Sequence, residues 1–141
     1  MSDVTVVQAL SPELVLWLEE QRIPASLFKA PAREPSLADV KAVLPEIPAL
    51  RFEVRSSASG RTYFDLSSPD REDDWAELVV GEGGRGVSFT YGSRGVITAA
   101  VGHLARHCGP LVVVHASGER PSLISATPTT IDVVGGWAED F

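Results

Sequence analysis

Residues 87–126 read VSFTYGSRGVITAAVGHLARHCGPLVVVHASGERPSLISA, and this segment holds the longest helical pattern and the most apolar strand pattern of the chain. Val87, Phe89 and Tyr91 alternate with polar residues, which predicts a half-buried strand with these three side chains on one face. Residues 111–114 form a continuous apolar run, mostly of β-branched residues. Such a run predicts a central strand that is covered on both faces.

A helix is predicted between these two strands. Ser93 is a candidate N-cap, Gly109 stands where a left-handed residue often ends a helix, and Pro110 cannot continue one. Four apolar residues recur at steps of four, three and four, which places them on one helical face. They are Ile97, Val101, Leu104 and Cys108. Beyond the second strand, residues 117–119 predict a turn, and Leu123 with Ile124 predicts another strand.

The residues before this segment predict a strand and two helices. Residues 4–7 favour a strand, and Ser-Pro-Glu at 11–13 is typical of a helix start, with the helix running to about Gln21. Ser36 and Asp39 have the spacing of a capping box. The other predicted elements are an irregular crossing at 23–35, a hairpin at 50–55 and 62–66, a polar loop at 67–74, a strand at 75–81, a turn at 81–86 and an edge strand at 129–134. Ser68-Pro69 followed by Glu72 is also typical of a helix start, so the sequence leaves strand and helix open for 69–79.

The order of these elements predicts the fold class. The chain has 141 residues, a length that favours one domain spanning 1–141. The strands outnumber the helices and follow one another in runs. We therefore expect an α+β fold, in which an antiparallel or mixed sheet of about five to seven strands carries two or three helices packed on one face.

Composition excludes several classes of function. The formal charge at neutral pH is −7, and 44% of the residues are hydrophobic, which is enough for a packed core. The negative charge disfavours binding to nucleic acid, which needs clustered Lys and Arg, and binding to anionic membranes. The chain has no apolar run of about 20 residues, no signal-peptide pattern at its start and only one cysteine. The cytoplasm is therefore the expected location.

Two patterns resemble chemical motifs, but their contexts favour structural roles. Gly81, Gly83 and Gly86 match the dinucleotide-binding spacing G-x-G-x-x-G. That motif requires a helix directly after it, whereas a strand pattern follows here, so we predict a hairpin turn. Cys108 lies on the apolar face of the predicted helix, where a buried, unreactive thiol is expected.

The three histidines form the only candidate metal set. His103 and His107 are four residues apart on the predicted helix, a spacing that can hold a metal. No carboxylate neighbours them on that helix, and His115 can approach only if the fold brings it there. We predict half-exposed structural side chains, and hence no catalytic residue, metal or cofactor.

The acidic residues are concentrated between residues 65 and 82, where seven carboxylates accompany a single Arg. Many charged runs are only solvated loops. Crowded carboxylates can also attract a basic partner and raise its association rate, and a neighbouring exposed tryptophan would anchor it. The predicted partner-binding residues are Asp65, Asp70, Glu72, Asp73, Asp74, Trp75, Glu77 and Glu82.

Several short stretches resemble bacterial immunity proteins of polymorphic-toxin and contact-dependent systems. They are Leu-Ser-Pro-Glu-Leu at 10–14, Gly-Val-Ser-Phe at 86–89, Cys-Gly-Pro-Leu-Val-Val-Val at 108–114 and Gly-Glu-Arg-Pro at 118–121. The likeness covers about the last third of the chain and one helix. Its motifs consist of residues that begin or end helices, strands and turns. It implies a cytoplasmic, non-enzymatic inhibitor that binds a cognate toxin domain through an acidic face.

The leading hypothesis is thus an immunity protein that pairs its carboxylates with Lys and Arg of a basic toxin domain. A second hypothesis comes from a resemblance to acidic type III secretion chaperones, which act as homodimers on an extended effector segment. Those chaperones usually end in a helix, whereas this chain ends in a strand pattern and Trp137. A third hypothesis, a small-molecule enzyme or binder, requires a pocket with convergent polar groups. Monomer and homodimer remain open.

Overall fold

The computed structural model describes residues 5–28, 31–115 and 120–136, and its described strands form a single eight-stranded sheet. Every neighbouring pair of strands is antiparallel. The order across the sheet is β2-β3-β4-β5-β1-β6-β7-β8. The α+β class is confirmed, with one strand more than the predicted range. The strands are β1 (Thr5–Ala9), β2 (Arg51–Ser56), β3 (Thr62–Ser68), β4 (Arg71–Val80), β5 (Val87–Gly92), β6 (Leu111–His115), β7 (Ser122–Ala126) and β8 (Ile131–Gly135).

Within the described ranges, three α-helices and three short 3₁₀ turns connect these strands. The helices are α1 (Pro12–Glu20), α2 (Leu37–Val43) and α3 (Arg94–Cys108), and the 3₁₀ turns are Ala25–Leu27, Leu44–Glu46 and Glu82–Gly84. The predicted start of α1 is confirmed, because the amide of Leu14 donates to Ser11 Oγ at 3.2 Å. Ser93 does occupy the N-cap position of α3, but its hydroxyl makes no capping hydrogen bond. Within the described ranges, no helix combines the length and the hydropathy that crossing a membrane requires.

The helices cover both faces of the sheet, so the prediction that they pack on one face is wrong. Helices α2 and α3 pack on what we call the inner face, together with Leu111 and Val113. Helix α1 and the turn after it pack on the opposite, outer face, against Val112 of β6 and Leu123 of β7. Successive strand residues point to opposite faces. The apolar run of β6 is therefore covered on both sides, as its sequence predicts, and this requires helices in two layers.

The predicted polar loop at 67–74 is also wrong, because both strands of the hairpin continue through it. Strand β3 extends to Ser68 and β4 begins at Arg71, which leaves only a tight turn. The register shifts between Ser67 and Ser68, so that the acidic residues 72–74 form an irregular part of β4. The turn at 81–86 is confirmed, since the amide of Gly81 donates to the carbonyl of Gly86 at 3.0 Å and a strand follows. The predicted turn at 117–119 lies outside the described residues.

The capping box of α2 is confirmed and is reinforced by an arginine. The amide of Ser36 donates to Asp39 Oδ2 at 2.8 Å, and the amide of Asp39 donates to Ser36 Oγ at 3.3 Å. Arg33 binds both oxygens of the same carboxylate, at 2.6 and 2.7 Å. The guanidinium of Arg33 is the main cause that holds the pKa of Asp39 well below its ordinary range, and the Ser36 hydrogen bonds contribute as well.

This lowered pKa predicts a loss of stability in acid. The Asp39 carboxyl stays ionised in the folded state, while in the unfolded state it takes up a proton near its ordinary pKa of about 4. Its contribution is therefore present above that pH and is lost as the pH falls below it. We expect Asp39→Asn to lower the free energy of unfolding by about 1 kcal/mol at pH 7. Thermal melts from pH 7 to pH 2 should show this difference shrinking, and a constant difference would contradict the assignment.

Candidate functional site

The outer face of the sheet is only half covered. The cluster around α1 contains no residue from β2, β3, β4 or β5, so among the described residues no helix packs on that half. The strand registers place one set of side chains there, which we call the open face. The open face consists of Arg51, Glu53 and Arg55 on β2, Tyr63, Asp65 and Ser67 on β3, Trp75, Glu77 and Val79 on β4, and Ser88 and Tyr91 on β5.

Three carboxylates lie side by side across the open face. Glu53 is paired directly opposite Asp65, and Asp65 is directly opposite Glu77. Like charges in directly opposite positions destabilise a sheet. The arrangement is tolerated because a cation from the edge strand lies beside the row, and it leaves this half of the sheet with an excess of negative charge.

Arg55 supplies that cation. Its Nε donates to Asp65 Oδ2 at 2.8 Å, and its Nη2 donates to Glu77 Oε2 at 2.5 Å. Its guanidinium also lies over the ring of Tyr63, 5.0 Å from the centroid. The hydrogen bonds to Asp65 are the main cause that raises the pKa of Arg55, with Glu77 contributing, so the cation is permanent.

We expect Arg55→Met to destabilise the protein and to make its stability salt-dependent. The substitution removes the cation that binds Asp65 and Glu77, so the repulsion along the row is offset less. Because Arg55 is exposed, the loss should be small, a few degrees in Tm at low ionic strength. Salt screens repulsion between exposed charges, so the gap in Tm from the native protein should narrow as NaCl is added. A gap in Tm that is independent of salt would show that Arg55 stabilises the protein through packing and not through its charge.

Glu77 is the most enclosed member of the row. Besides Arg55, it accepts hydrogen bonds from Thr90 Oγ1 at 2.6 Å and from the Tyr91 hydroxyl at 3.2 Å. Desolvation and then the neighbouring Glu77 raise the pKa of Tyr91, which keeps its hydroxyl protonated as a donor. Glu77 therefore organises this surface, and the other carboxylates are more accessible to a partner.

An aromatic pair adjoins the carboxylate row. The rings of Trp75 and Tyr91 meet edge to face, with centroids 4.4 Å apart, and Trp75 is 48% exposed. A bulge in the pairing of β4 with β5 makes this contact, because it pairs Leu78 with Phe89 but Glu77 with Tyr91. The extra residue between Phe89 and Tyr91 on β5 turns Tyr91 onto the face opposite to Phe89. The alternation in the sequence predicts both side chains on the same face, so that prediction is wrong for Tyr91.

The structure separates the predicted partner-binding residues into three groups. Asp65 and Glu77 belong to the hydrogen-bonded network of the open face. Asp70, Asp73 and Trp75 are exposed at the end of β4 where the tight turn lies, whereas Asp74 is half-buried. Glu82 is exposed in the 3₁₀ turn beyond the other end of β4. Seven residue steps from Asp73 to Val80 span about 23 Å, so Glu82 lies far from the acidic turn. The side chain of Glu72 lies outside the described residues.

Sequence reasoning missed Glu53, Arg55 and Tyr91. For Glu53 and Arg55 a signal was present, because they alternate with the inward residues 52 and 54 of the predicted hairpin. The pairing register that sets them beside Asp65 and Tyr63 depends on the length of the turn. For Tyr91 the sequence contains no such signal, since the bulge becomes evident only when the two strands are paired.

The histidines do not converge among the residues that the structure describes, and no group there could hold a metal. His103 Nδ1 is 2.8 Å from the carbonyl of Ala99 on its own helix. His107 is exposed and lies 3.5 Å from Glu46. His115 is buried, with its Nδ1 3.1 Å from Thr5 Oγ1.

The thiol of Cys108 is buried, as its position on the apolar face of α3 predicts. Burial is the main cause that raises its pKa, to about 11. A thiol with such a pKa is almost entirely protonated at neutral pH, and the thiolate is the reactive form. The protonated, buried state matches the inert side chain that the sequence predicts.

Comparison of the chain with protein-family models, with curated proteins and with solved structures gives no match. The open face, with its aromatic pair and its row of carboxylates, is therefore the candidate functional site of this molecule.

Proposed function

We propose that this protein is a non-catalytic protein-binding domain and that its open face docks a basic protein. The observation that carries the proposal is the half-exposed Trp75, packed edge to face on Tyr91 beside three carboxylates on a sheet surface that no described helix covers. Aromatic side chains are enriched at the centres of protein interfaces, and truncating them often costs most of the affinity.

Charge supports a basic partner. The open face carries three carboxylates, Glu53, Asp65 and Glu77, against the two arginines Arg51 and Arg55, and exposed Asp70 and Asp73 add negative charge at the end of β4. The whole chain carries a formal charge of −7, so the long-range field also favours a cationic protein. Such complementarity acts mainly on the rate of association, and salt weakens it.

Within this class, we propose an immunity protein that neutralises a bacterial toxin domain by covering its active site. Support for the toxin as partner comes from the resemblance of residues 10–14, 86–89 and 108–114 to immunity proteins. A toxin that acts on nucleic acid presents Lys and Arg around its active site. An acidic, rigid sheet surface with an aromatic anchor is complementary to such a site.

The test begins with the partner. Tagged protein is used to capture proteins from a lysate of its source organism at low salt, and each captured basic protein is then expressed alone and together with this chain. The immunity proposal requires that the partner is toxic alone and harmless when the two are coexpressed. A captured protein that is not toxic would contradict the immunity proposal. The proposal that the open face docks a basic protein would then be tested separately.

The docking surface is tested by two variants with the same change in charge. One carries Glu53→Gln, Asp70→Asn and Asp73→Asn, and the control carries Glu13→Gln, Glu20→Gln and Asp132→Asn, which are exposed outside the open face. We expect the first to lower the association rate about tenfold at low salt, and the difference from the native protein to shrink at high salt. The control should change the rate far less. Equal effects of the two variants would mean that net charge, and not this face, attracts the partner.

A further inference from the structure

A cavity of about 670 Å³ lies at the end of α3, away from the open face. Its walls come from the turn after α1, the segment that crosses toward α2, the last turn of α3 and the end of β7. This volume is within the range of small-molecule binding sites. We propose that this cavity binds a small organic carboxylate with an apolar body, such as a medium-chain acid.

The walls of the cavity are mostly apolar. Leu27, Phe28, Pro31 and Ala126 line it. Leu27 is 75% exposed, and a bound apolar chain would cover it. A ligand that fills this space therefore needs a hydrocarbon body.

One side of the cavity is held rigidly. The amide of Arg33 donates to the carbonyl of Cys108 at 2.8 Å, which ties the crossing segment to the end of α3. Gly109 has a φ of +86°, and the backbone of residues 31 and 32 approaches it so closely that a Cβ there would lie 2.9 Å from the Cα of Ala32. The cavity is thus preformed, which reduces the entropy lost when a ligand binds.

The charged side chains described in the cavity are two arginines. Arg33 and Arg106 line it together with His107 and Ser125, and no described lining residue is acidic. Arg33 is already paired with Asp39 through both carboxylate oxygens, and His107 lies beside Glu46. Arg106 donates only its Nε, to the carbonyl of Thr127 at 3.2 Å. Its two terminal nitrogens make no hydrogen bond within the described part of the chain and can receive a ligand.

The guanidinium of Arg106 can bind one carboxylate group of a ligand. The terminal nitrogens of Arg present parallel N–H donors that fit the two oxygens of a carboxylate. Among the described lining residues a phosphate would meet only one uncommitted cation, which offsets less charge than the phosphate carries. An alkyl ammonium ion would meet Arg106 with like charge. The cavity therefore selects a monocarboxylate over an amine with the same apolar chain.

The test is a titration of the full chain with octanoate, followed by two-dimensional NMR of the backbone amides. We expect saturable shifts confined to residues around the cavity, and at least tenfold weaker binding of octylamine. Arg106→Gln should weaken octanoate binding about tenfold, whereas Arg51→Gln, which removes the same charge on the open face, should leave it unchanged. Leu27→Asp should weaken it more than Leu27→Asn, because only the former places a negative charge at the rim.

Three results would overturn the proposal. They are the absence of saturable shifts at millimolar octanoate, equal binding of octylamine and octanoate, and undiminished octanoate binding by both Arg106→Gln and Leu27→Asp. Since Arg106 and Leu27 are exposed, these variants should fold normally, and their Tm values verify this. The Arg106 and Leu27 variants leave the open face unchanged, so their outcome is independent of the protein-docking proposal.

Discussion

Replacing Trp75 by alanine should weaken the binding of the proposed basic partner by about thirtyfold or more. An aromatic anchor at the centre of an interface typically contributes at least about 2 kcal/mol, which corresponds to that factor in Kd. Trp75 is 48% exposed and packs on Tyr91, so it presents a large, rigid apolar surface next to the carboxylates. The measurement is the Kd of the captured partner by calorimetry or surface plasmon resonance, with the dissociation rate carrying most of the change.

The matched control is Leu16→Ala. Leu16 is another exposed apolar side chain, 69% accessible, but it lies on α1 and outside the open face. Its truncation should leave the Kd within about twofold. Trp75→Ala itself should cost only about 1 kcal/mol of folding stability, because its main loss is the edge contact with Tyr91. Native affinity in Trp75→Ala, with the fold intact, would refute docking on the open face.

The largest effect on stability is expected for Gly109→Ala. Gly109 follows α3 with a φ of +86°, a conformation that L-residues adopt at a cost. A Cβ at this position would also overlap the carbonyl oxygen of Pro31, which belongs to the crossing segment. Backbone strain and steric overlap together should lower the free energy of unfolding by about 3 kcal/mol or more, or roughly 10 °C in Tm.

Substitutions at two other glycines distinguish the effect of backbone strain from that of steric overlap. Gly83 also has a positive φ, +75°, but a Cβ there would meet nothing within 4 Å, so Gly83→Ala should cost about 1 kcal/mol from backbone strain alone. Gly95, near the start of α3, has neither constraint, so Gly95→Ala should be neutral or slightly stabilising. Thermal or urea unfolding of the three variants gives the order. A loss in Gly109→Ala no larger than in Gly83→Ala would mean that the crossing segment moves away at little cost.

The secondary structure could be predicted in large part because short-range signals agreed with it. The Ser11 cap, the Ser36 capping box and the apolar face of α3 all appear where the pattern places them. The prediction failed at residues 67–74, which are polar and acidic and therefore resemble a loop. Pairing with β3 makes part of them strand, because the backbone hydrogen bonds of a hairpin do not depend on side-chain hydropathy.

The candidate site could be predicted only in part. The concentration of acidic residues between 65 and 82 predicts a binding surface that includes Trp75. In the structure Trp75 lies on the open face. The acidic residues that lie together differ from those predicted, however, because they are neighbours across paired strands and not neighbours along the sequence. Glu53 joins Asp65 from 12 positions earlier in the chain, while Glu82 lies at the opposite end of β4.

The sequence by itself determined the class of fold, the two-sided burial of β6 and the starts of α1 and α2. These properties depend on periodicity and on capping side chains, which act over a few residues. Only the tertiary structure decided that α1 lies on the outer face, that this helix leaves the β2–β5 half uncovered, and that a bulge sets Tyr91 against Trp75. Those features depend on strand order and register, which are fixed by contacts between distant parts of the chain.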